Sequence, residues 1–400
     1  MEKKLTEPQE SHEPEQNQLT EINKQPTLAN SHPKSTKMIQ AAVYRTTRLY
    51  PNANLLDKTL LHRISIAPMM EYTNTHFRFF IRLLSRNCTL WTEMLHCGAL
   101  AHNESLAKKE LTFNKIEHPV ICQVGGSDIP QLQKAAIRAE QAGFDEINLN
   151  CGCPSPRVTA GSFGCCLMKT PEDVSSYIRA MKEVVSIPVH VKCRIGVDNI
   201  DDYDSLKRFI EEVRDNADCT QFVIHARKAF LKGLNPAQNR SIPPLKYDFV
   251  TNIAKEYPEL NIEINGGFRT LEDIEQILVP ENNLRGCMVG RLAFQNPWVL
   301  SDVDRRFYGV ENVGLSRKEI LRIWGEYGDL ALSEDSYLTW TKLVKPIIFL
   351  FKDESFSGRF RRFIANLDNR KKFEAFSEFI QAASDMFEEC NPEAINRLPP

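Results

Sequence analysis

The segment INLNCGCP, residues 147–154, places Asn150, Cys151 and Cys153 directly after an apolar strand-like run. A disulfide between cysteines separated by a single residue would be strained, and zinc sites normally use wider ligand spacing. A thiol of ordinary pKa, about 8.5, is mostly protonated at neutral pH and can act as a general acid. We therefore expect Cys153, on the loop after the strand, to donate a proton, and Cys151 to point elsewhere.

Polar or otherwise special residues also end most of the remaining strand-like runs. They are Pro68, Met69, Met70, Gln123, Lys192, His225, Asn265, Gly266, Gly267, Gly290 and Arg291. Taken singly, Lys192 would more often be a surface lysine and His225 a core histidine, and a glycine after a strand usually marks a turn. Together they indicate one site, because the carboxyl ends of parallel strands in a barrel meet on one face.

The residue types in this set suit a flavin nucleotide. The segments INGG and VGR, residues 264–267 and 289–291, offer backbone N–H groups and an arginine to a phosphate. Lys192 can sit beside the negative charge that a reduced flavin gains at its N1–C2=O edge, and Gln123 suits the polar rim of the ring. Because no G-x-G-x-x-G follows a strand, we expect flavin mononucleotide (FMN) and not a dinucleotide.

The elements that must position these residues are strands alternating with helices. Apolar runs predict strands over 63–68, 88–94, 119–125, 145–150, 188–196, 221–226, 260–266 and 286–291. Helix-end signals lie between them, with Gly143 as a C-terminal cap and Thr170 as an N-cap before Pro171. A doubly wound sheet would account for six of the strands equally well. A count of eight predicts an α/β fold of the (β/α)8 TIM-barrel type.

The pattern changes towards the C-terminus, where apolar residues recur at helical spacing and no strand intervenes. We predict a disordered N-terminal extension, residues 1–58, an FMN-binding TIM-barrel catalytic domain, residues 59–312, and a small helical-bundle domain, residues 313–400. The extension is rich in Gln, Glu, Pro, Asn and Ser. Such a composition buries too little apolar surface to offset the entropy of ordering.

The composition of the 400 residues, 42% hydrophobic and 26% charged with a net charge of −2, is that of an ordinary globular protein. Any contact with nucleic acid must therefore be local. The chain has neither an apolar run of 18 or more residues nor a secretory signal, so we expect a cytoplasmic protein with no membrane partner. Its eleven cysteines include no C-x-x-C pair, which favours reduced thiols and no metal site. We also expect a monomer.

The segment 147–166, INLNCGCPSPRVTAGSFGCC, resembles the signature of the tRNA-dihydrouridine synthases. Further segments resemble the A-type subfamily in the same order: APMMEYTNTHFRFFIRLLS, WTEM, QVGGSD, VKCRIGVD, HARKAFLKGLNPAQNRSIPPL, INGGFRT and MVGRLAFQNPW. The resemblance covers roughly residues 62–365. It implies an enzyme that uses FMN and NADPH to reduce the C5=C6 bond of uridine in the tRNA D-loop, at tRNA positions 20 and 20a.

The resemblance also implies a role for each site residue. The residues given above from Pro68 to Arg291 would bind FMN. Cys153 would protonate uracil C5 after hydride passes from flavin N5 to C6, and Asn150 would hold the uracil. Taking the base out of the tRNA fold costs a few kcal/mol. The implied tRNA contacts are Arg240, Arg359, Arg361 and Arg362.

The sequence also contains a local basic segment. Between Lys345 and Lys372 lie eight basic residues against three acidic ones, with aromatic residues interleaved in GRFRRF, residues 358–363. Arginines there could contact phosphates and aromatic rings could stack on bases, whereas the plain alternative is a solvated helix face. Two rival functions remain open. An FMN-dependent reductase of a small molecule would need no such surface, and a non-catalytic tRNA-binding protein would need neither Cys153 nor Lys192.

Overall fold

The computed structural model of the protein describes residues 61–400 and contains, in that range, one parallel sheet of nine strands. The strands are β1 Ile64–Ile66, β2 Leu90–Trp91, β3 Leu95–His96, β4 Val120–Gly125, β5 Glu146–Cys151, β6 Val189–Arg194, β7 Gln221–His225, β8 Asn261–Asn265 and β9 Gly286–Val289. Neighbours follow the order β1, β9, β8, β7, β6, β5, β4, β2, and β3 also pairs with β4. All carboxyl ends therefore point the same way.

Strand β1 closes the sheet into a barrel. On one side it pairs with β9. On the other side the Ile66 amide donates to the Thr89 carbonyl at 2.9 Å, and the Thr89 amide donates to the Ile64 carbonyl at 2.9 Å. The predicted (β/α)8 TIM barrel is therefore confirmed.

The second predicted strand, residues 88–94, differs from the expectation. It forms two short strands, β2 and β3, which both pair with β4. Between them the Gln123 amide of β4 donates to the Thr92 side-chain hydroxyl at 3.0 Å. The ladder is interrupted there because a side chain takes the place of a backbone carbonyl as acceptor.

Helices lie between the strands along the chain and pack against the outside of the barrel. Up to residue 308 they are α1 Thr75–Arg82, α2 Cys97–His102, α3 Glu104–Glu110, α4 Ile129–Ala142, α5 Pro156–Ala160, α6 Pro171–Lys182, α7 Tyr203–Ala217, α8 Tyr247–Glu256, α9 Leu271–Ile277, α10 Arg291–Gln295 and α11 Val303–Tyr308. Both predicted helix ends are confirmed. Gly143 caps α4 with a φ of 92°, a value that favours glycine, and Thr170 is the N-cap of α6.

The buried side chains form two cores. Inside the barrel, Ala67, Trp91, Ile121, Val223 and Met288 pack on one another. A larger core fills the space between strands and helices and continues into the C-terminal helices. Because side chains alternate along a strand, residues two positions before or after the inner core also point into the barrel, near one of its two ends.

A buried polar cluster fills the amino-terminal end of the barrel interior. His62 Nε2 lies 2.9 Å from Glu146 Oε1, and His62 Nδ1 lies 2.7 Å from Glu263 Oε1. Burial alone would lower the pKa of His62, but the two glutamates raise it to about 10. Burial lowers the pKa of the neighbouring His190 to about 4. The cluster therefore holds one charged imidazole between two glutamates.

Only helices follow α11 in the described chain. They are α12 Arg317–Glu334, α13 Trp340–Val344, α14 Ser357–Ala365, α15 Leu367–Arg370, α16 Phe376–Cys390 and α17 Pro392–Asn396. Helix α12 begins in a capping box between Ser316 and Glu319 and packs on α16. A Cβ on Gly328 of α12 would overlap the Phe376 ring of α16, so this close approach requires glycine.

Contacts beside the loop after β1 join these helices to the barrel. Tyr327 of α12 stacks on Phe79 of α1 with 3.9 Å between ring centroids, and its hydroxyl lies 2.8 Å from His76 Nδ1. The Lys345 ammonium lies 3.9 Å from the centroid of the Tyr72 ring. The loop at the barrel rim and the helical region are therefore in direct contact.

The predicted C-terminal helical region is thus present. The predicted boundary between residues 312 and 313 stays a prediction, and the predicted extension, residues 1–58, lies outside the described residues. Within residues 61–400, no helix is both long enough and apolar enough to cross a membrane.

Replacing His62 with glutamine should lower the free energy of unfolding by about 3–5 kcal/mol at pH 6, because two buried glutamates lose their cation. The pKa of His62 is about 10 in the folded protein against 6.5 for a free histidine. Its stabilising effect is therefore complete below pH 6.5 and disappears as the pH rises through 10, so the difference between variant and parent should shrink over that range. Urea unfolding followed by circular dichroism measures this difference.

The exposed His102 provides the matched control. Its replacement by glutamine should change the free energy of unfolding by no more than about 0.5 kcal/mol. A His62→Gln variant as stable as the parent at pH 6 would show that the cluster does not support the fold.

Candidate active site

The carboxyl ends of the strands bring the predicted polar residues to one rim. In the sheet register Asn150 lies opposite Lys192, and His225 lies opposite Asn265. Gln123 lies on the neighbouring strand β4, two residues after the inner-core residue Ile121. These side chains therefore form a polar layer directly above the inner core.

Amide side chains connect this layer. Gln123 Nε2 donates to Asn148 Oδ1 at 2.8 Å, and Asn150 Nδ2 donates to Gln123 Oε1 at 2.8 Å. Lys192 Nζ donates to Asn265 Oδ1 at 3.1 Å. Within the described chain, these bonds leave one side-chain N–H of Gln123 and one of Asn150 available to a ligand.

Asn150 also shapes the loop that carries Cys153. Its Oδ1 accepts hydrogen bonds from the amides of Gly152 at 3.2 Å and Cys153 at 2.9 Å. Cys151 is fully buried and Cys153 is half-buried at the rim, which is the difference expected for the two thiols. Gly164 packs closely against the same loop. A Cβ on Gly164 would lie 2.6 Å from the Cys153 carbonyl oxygen, so only glycine lets this segment pass so close.

The opposite part of the rim is built from glycines. Gly266 and Gly267 have φ angles of 118° and 87°, and a Cβ on Gly267 would lie 2.8 Å from the Tyr247 hydroxyl oxygen. That hydroxyl donates to the Gly266 carbonyl at 2.6 Å and fixes the turn. His225 Nδ1 is buried without a hydrogen-bond partner among the described residues. A buried polar atom of this kind marks a place where a ligand can bind.

Four positive side chains lie at this rim, those of Lys192, Arg194, Arg227 and Arg291, and none of the four pairs with a carboxylate in residues 61–400. Burial is the largest cause of the strongly lowered pKa of His225, and Arg194, Lys192, Arg227 and Arg291 lower it further. Burial, and then Arg194, lower the pKa of Lys192 to about 8. Buried cations need a partner. The residues at the rim therefore fit an electron-rich anion such as a flavin nucleotide.

A protein-family model described as "Dihydrouridine synthase (Dus)" matches residues 65–386. The chain belongs to the dihydrouridine synthase family. A relative from Shigella flexneri named tRNA-dihydrouridine(20/20a) synthase is 42% identical over 312 residues, which cover 77% of this chain and 90% of the relative. One of the same name from Shewanella oneidensis is 42% identical over 327 residues, which cover 82% of this chain and 94% of the relative.

A solved structure of a 2-naphthoyl-CoA reductase aligns with a TM-score of 0.47 at 10% identity, covering 60% of this chain and 49% of that chain. The family assignment does not depend on this likeness. Membership of the dihydrouridine synthase family implies a flavin-dependent oxidoreductase.

The remaining predicted flavin residues of this dihydrouridine synthase also lie at the rim. A Cβ on Gly290 would lie 3.5 Å from Met69 Sδ, so the ends of β1 and β9 adjoin. Pro68 is half-buried, and the side chain of Met70 is exposed. Arg291 is also exposed. Their contacts with a flavin stay predictions.

Three residues of the rim had not been singled out in the sequence. Arg194 and Asn148 lie two positions from Lys192 and Asn150, so the period of a strand places them on the same side, and this signal was present in VKCR and INLN. Tyr247 comes from α8, and no local pattern connects it with the glycines of β8.

The predicted tRNA-contacting arginines occupy two places. Arg240 ends a short 3₁₀ helix beside the rim, and Arg291 Nη2 donates to its carbonyl at 3.4 Å. Arg359, Arg361 and Arg362 are exposed on α14. In the described part of the chain, these three make no ion pair with a carboxylate.

The interpretation of the GRFRRF aromatics as base-stacking residues is wrong for Phe360. Its ring is fully buried and lies 4.7 Å from the Phe351 ring between centroids. Phe363 is half-buried and stacks on Phe379. The helical period puts these rings on the inner face of α14 and the arginines on its outer face. The exposed aromatic residue beside the arginines is Phe356, at 54% exposure.

The affinity for FMN should fall as the pH rises above about 8, because the pKa of Lys192 is about 8 and an anionic ligand favours its charged form. Quenching of flavin fluorescence, titrated from pH 6 to pH 9.5, measures the dissociation constant. Lys192→Met should bind FMN more weakly and lose the pH dependence near 8.

Lys169, an exposed lysine that pairs with Asp198 at 2.8 Å, is the matched control. Lys169→Met should keep both the affinity and the pH dependence. If Lys192→Met retained the transition near pH 8, another group would be responsible for it.

Proposed function

We propose that this protein is an FMN-dependent tRNA-dihydrouridine synthase that uses NADPH to reduce the C5=C6 bond of uridines 20 and 20a in the tRNA D-loop. The observation that carries the proposal is the loop thiol of Cys153, held by Asn150 beside a rim of amide and positively charged groups. The names of the relatives from Shigella flexneri and Shewanella oneidensis support it.

The rim residues divide into two groups with respect to FMN. Gly266, Gly267, Arg291 and the unpartnered Nδ1 of His225 would hold its phosphate. Lys192 would lie at the N1–C2=O edge of the ring. The other predicted contacts are Pro68, Met69, Met70, Gln123, Asn265 and Gly290. Reduced FMN would supply the hydride for uracil C6, and NADPH would restore the reduced form.

Cys153 would supply the proton for uracil C5. Its S–H bond breaks as a C5–H bond forms, and the thiolate that remains takes a proton from solvent before the next turnover. The amide oxygen of Asn150 is already bound to the loop, so its remaining N–H would donate to a uracil carbonyl. In this arrangement the Asn150 side chain positions both the Cys153 thiol and the uracil that this thiol protonates.

The tRNA would contact the enzyme away from the reacting base as well. Arg240 lies beside the rim, and the exposed arginines of α14 would bind backbone phosphates. Because these exposed arginines have no carboxylate partner within residues 61–400, they favour tRNA over a small molecule as substrate. The thiol loop favours an enzyme over a non-catalytic tRNA-binding protein. The cytoplasmic location and the monomeric state stay predictions.

Replacing Cys153 with alanine should lower dihydrouridine formation by at least about 100-fold, because the general acid is lost. Flavin content should not change. The measurement is the anaerobic re-oxidation of NADPH-reduced enzyme by unmodified tRNA, followed by flavin absorbance. Cys166→Ala, which removes a neighbouring half-buried thiol, should react like the parent. Normal turnover by Cys153→Ala would mean that another group is the acid.

Replacing Arg359, Arg361 and Arg362 together with alanine should weaken tRNA binding and reduce the slope of log affinity against log salt by about 2 to 3. Fluorescence anisotropy with unmodified tRNA between 50 and 200 mM salt measures this slope. The control is Lys352→Ala with Lys371→Ala, because these exposed lysines already pair with Asp353 and Asp368. An unchanged slope in the triple variant would place the phosphate contacts elsewhere.

A further inference from the structure

Arg194, at the end of β6, binds three backbone carbonyls with one guanidinium. Its Nε donates to the Gly152 carbonyl at 2.8 Å. Its Nη1 donates to the carbonyls of Lys228 at 3.1 Å and Asn239 at 3.0 Å. The side chain is 5% exposed, so these bonds are shielded from water.

The three carbonyls belong to two loops. Gly152 immediately precedes Cys153 on the loop after β5. Asn239 immediately precedes Arg240, and its own buried side chain bonds to the amide and the carbonyl of Phe230, at 2.7 Å and 3.0 Å. Asn239 is therefore the anchor of the loop after β7. Arg194 fixes the distance between the thiol loop and the loop that carries Arg240.

Arg194 also carries a positive charge that no carboxylate of the described residues neutralises. It makes no ion pair with a carboxylate in residues 61–400. Burial lowers the pKa of Arg194 to about 10, and the nearby thiols of Cys165 and Cys153 act in the opposite direction. A guanidinium at a pKa of about 10 is still positive at neutral pH. The thiol loop thus lies against a buried positive charge.

We propose that Arg194 is a positioning residue of this enzyme: it holds the loop of Cys153 against that of Arg240, and its charge stabilises the thiolate that Cys153 becomes. The proposal rests on the proposed function, in which the S–H bond of Cys153 breaks and a C5–H bond forms on uracil. The electron pair of the broken bond stays on sulfur. A fixed positive charge on the guanidinium that binds the Gly152 carbonyl, one residue before Cys153, stabilises the product of proton transfer.

Arg194 is not alone in facing the thiol. Lys192 of the same strand, Arg240 of the facing loop and Cys165 of the 3₁₀ segment Gly164–Lys169 also interact electrostatically with Cys153. Removing one of three cations should therefore weaken the stabilisation of the thiolate without abolishing it.

Two substitutions separate the geometric role from the charge. Arg194→Met removes both the three-carbonyl contact and the charge, whereas Arg194→Lys keeps the charge and loses the fork-shaped set of donors. The first measurement is the rate at which iodoacetamide alkylates Cys153 in the FMN-bound enzyme, by peptide mass spectrometry from pH 6 to 10. The second is kcat for unmodified tRNA.

In Arg194→Met the pH midpoint for alkylation of Cys153 should rise, because a positive charge next to its loop is lost. In Arg194→Lys this midpoint should stay within about 0.3 pH unit of the parent's. The kcat of Arg194→Lys should fall about tenfold or more, because the two loops lose their fixed spacing. The midpoint for the half-buried Cys166 should not move in either variant. The proposal would be overturned if both variants had the same Cys153 midpoint and the same kcat as the parent.

Arg82 distinguishes this role from that of an ordinary buried arginine. It binds four backbone carbonyls, those of Ser85, Ile116, Glu117 and Pro119, and the last three lie just before the amino-terminal end of β4. Arg82→Lys should lower the urea midpoint of unfolding and leave the alkylation of Cys153 unchanged. If Arg82→Lys moved the Cys153 midpoint as much as Arg194→Met does, the effect would be general loosening and the proposal would fail.

Failure of the inference can be told from failure of the proposed function. Normal turnover by Cys153→Ala rejects Cys153 as the acid and, with it, a positioning role for Arg194. An inactive Cys153→Ala together with unaffected Arg194 variants rejects the role of Arg194 alone. If Arg194→Met does not fold, Arg194→Lys still decides the geometric role, because full kcat in that variant contradicts it.

Discussion

Closure of the barrel is the constraint on which the rest of the structure depends. Strand β1 has only three residues, yet it is hydrogen-bonded to β9 on one side and to the Thr89 backbone on the other. Once closed, a barrel of parallel strands has two different ends and an interior reached by alternate residues of each strand. Strand β6 shows the result, with His190 at the bottom and Lys192 and Arg194 towards the rim.

The two ends of the barrel interior differ in whether their cations have carboxylate partners. At the bottom, His62 is held between Glu146 and Glu263, so positive and negative groups satisfy each other inside the protein. At the rim, Lys192 is half-buried and Arg194 is buried, and no described carboxylate pairs with either. The bottom therefore contributes to stability, and the rim is left with a positive potential for a ligand.

The sequence was sufficient for features that depend on local pattern. The positions of seven of the eight predicted strands, the cap at Gly143 and the contrast between Cys151 and Cys153 follow from periodicity and residue type, so they agree with the structure. Features that depend on contacts between distant segments could not be predicted. The hydrogen bonds of Arg194 reach the loops after β5 and β7, and no pattern within VKCR indicates that either loop is its partner.

The error over the GRFRRF aromatics has the same origin. Aromatic residues between arginines suit both a nucleic-acid surface and an amphipathic helix, and composition does not distinguish the two. The helical period assigns Phe360 to the inner face, against Phe351, and the exposed ring is that of Phe356, outside the motif. Identifying a face requires knowing what packs against the helix.

The contact between the helical region and the barrel fixes a distance within the enzyme. Tyr327 packs on Phe79, and Lys345 packs on Tyr72 beside the strand that begins the rim. The span from the arginines of α14 to the thiol of Cys153 is thereby set by packed side chains. Neighbouring uridines of one tRNA loop are chemically identical, so no pocket can tell them apart. On the proposed function, the length of this rigid span, measured along the tRNA backbone, restricts the reaction to uridines 20 and 20a among the uridines of the loop.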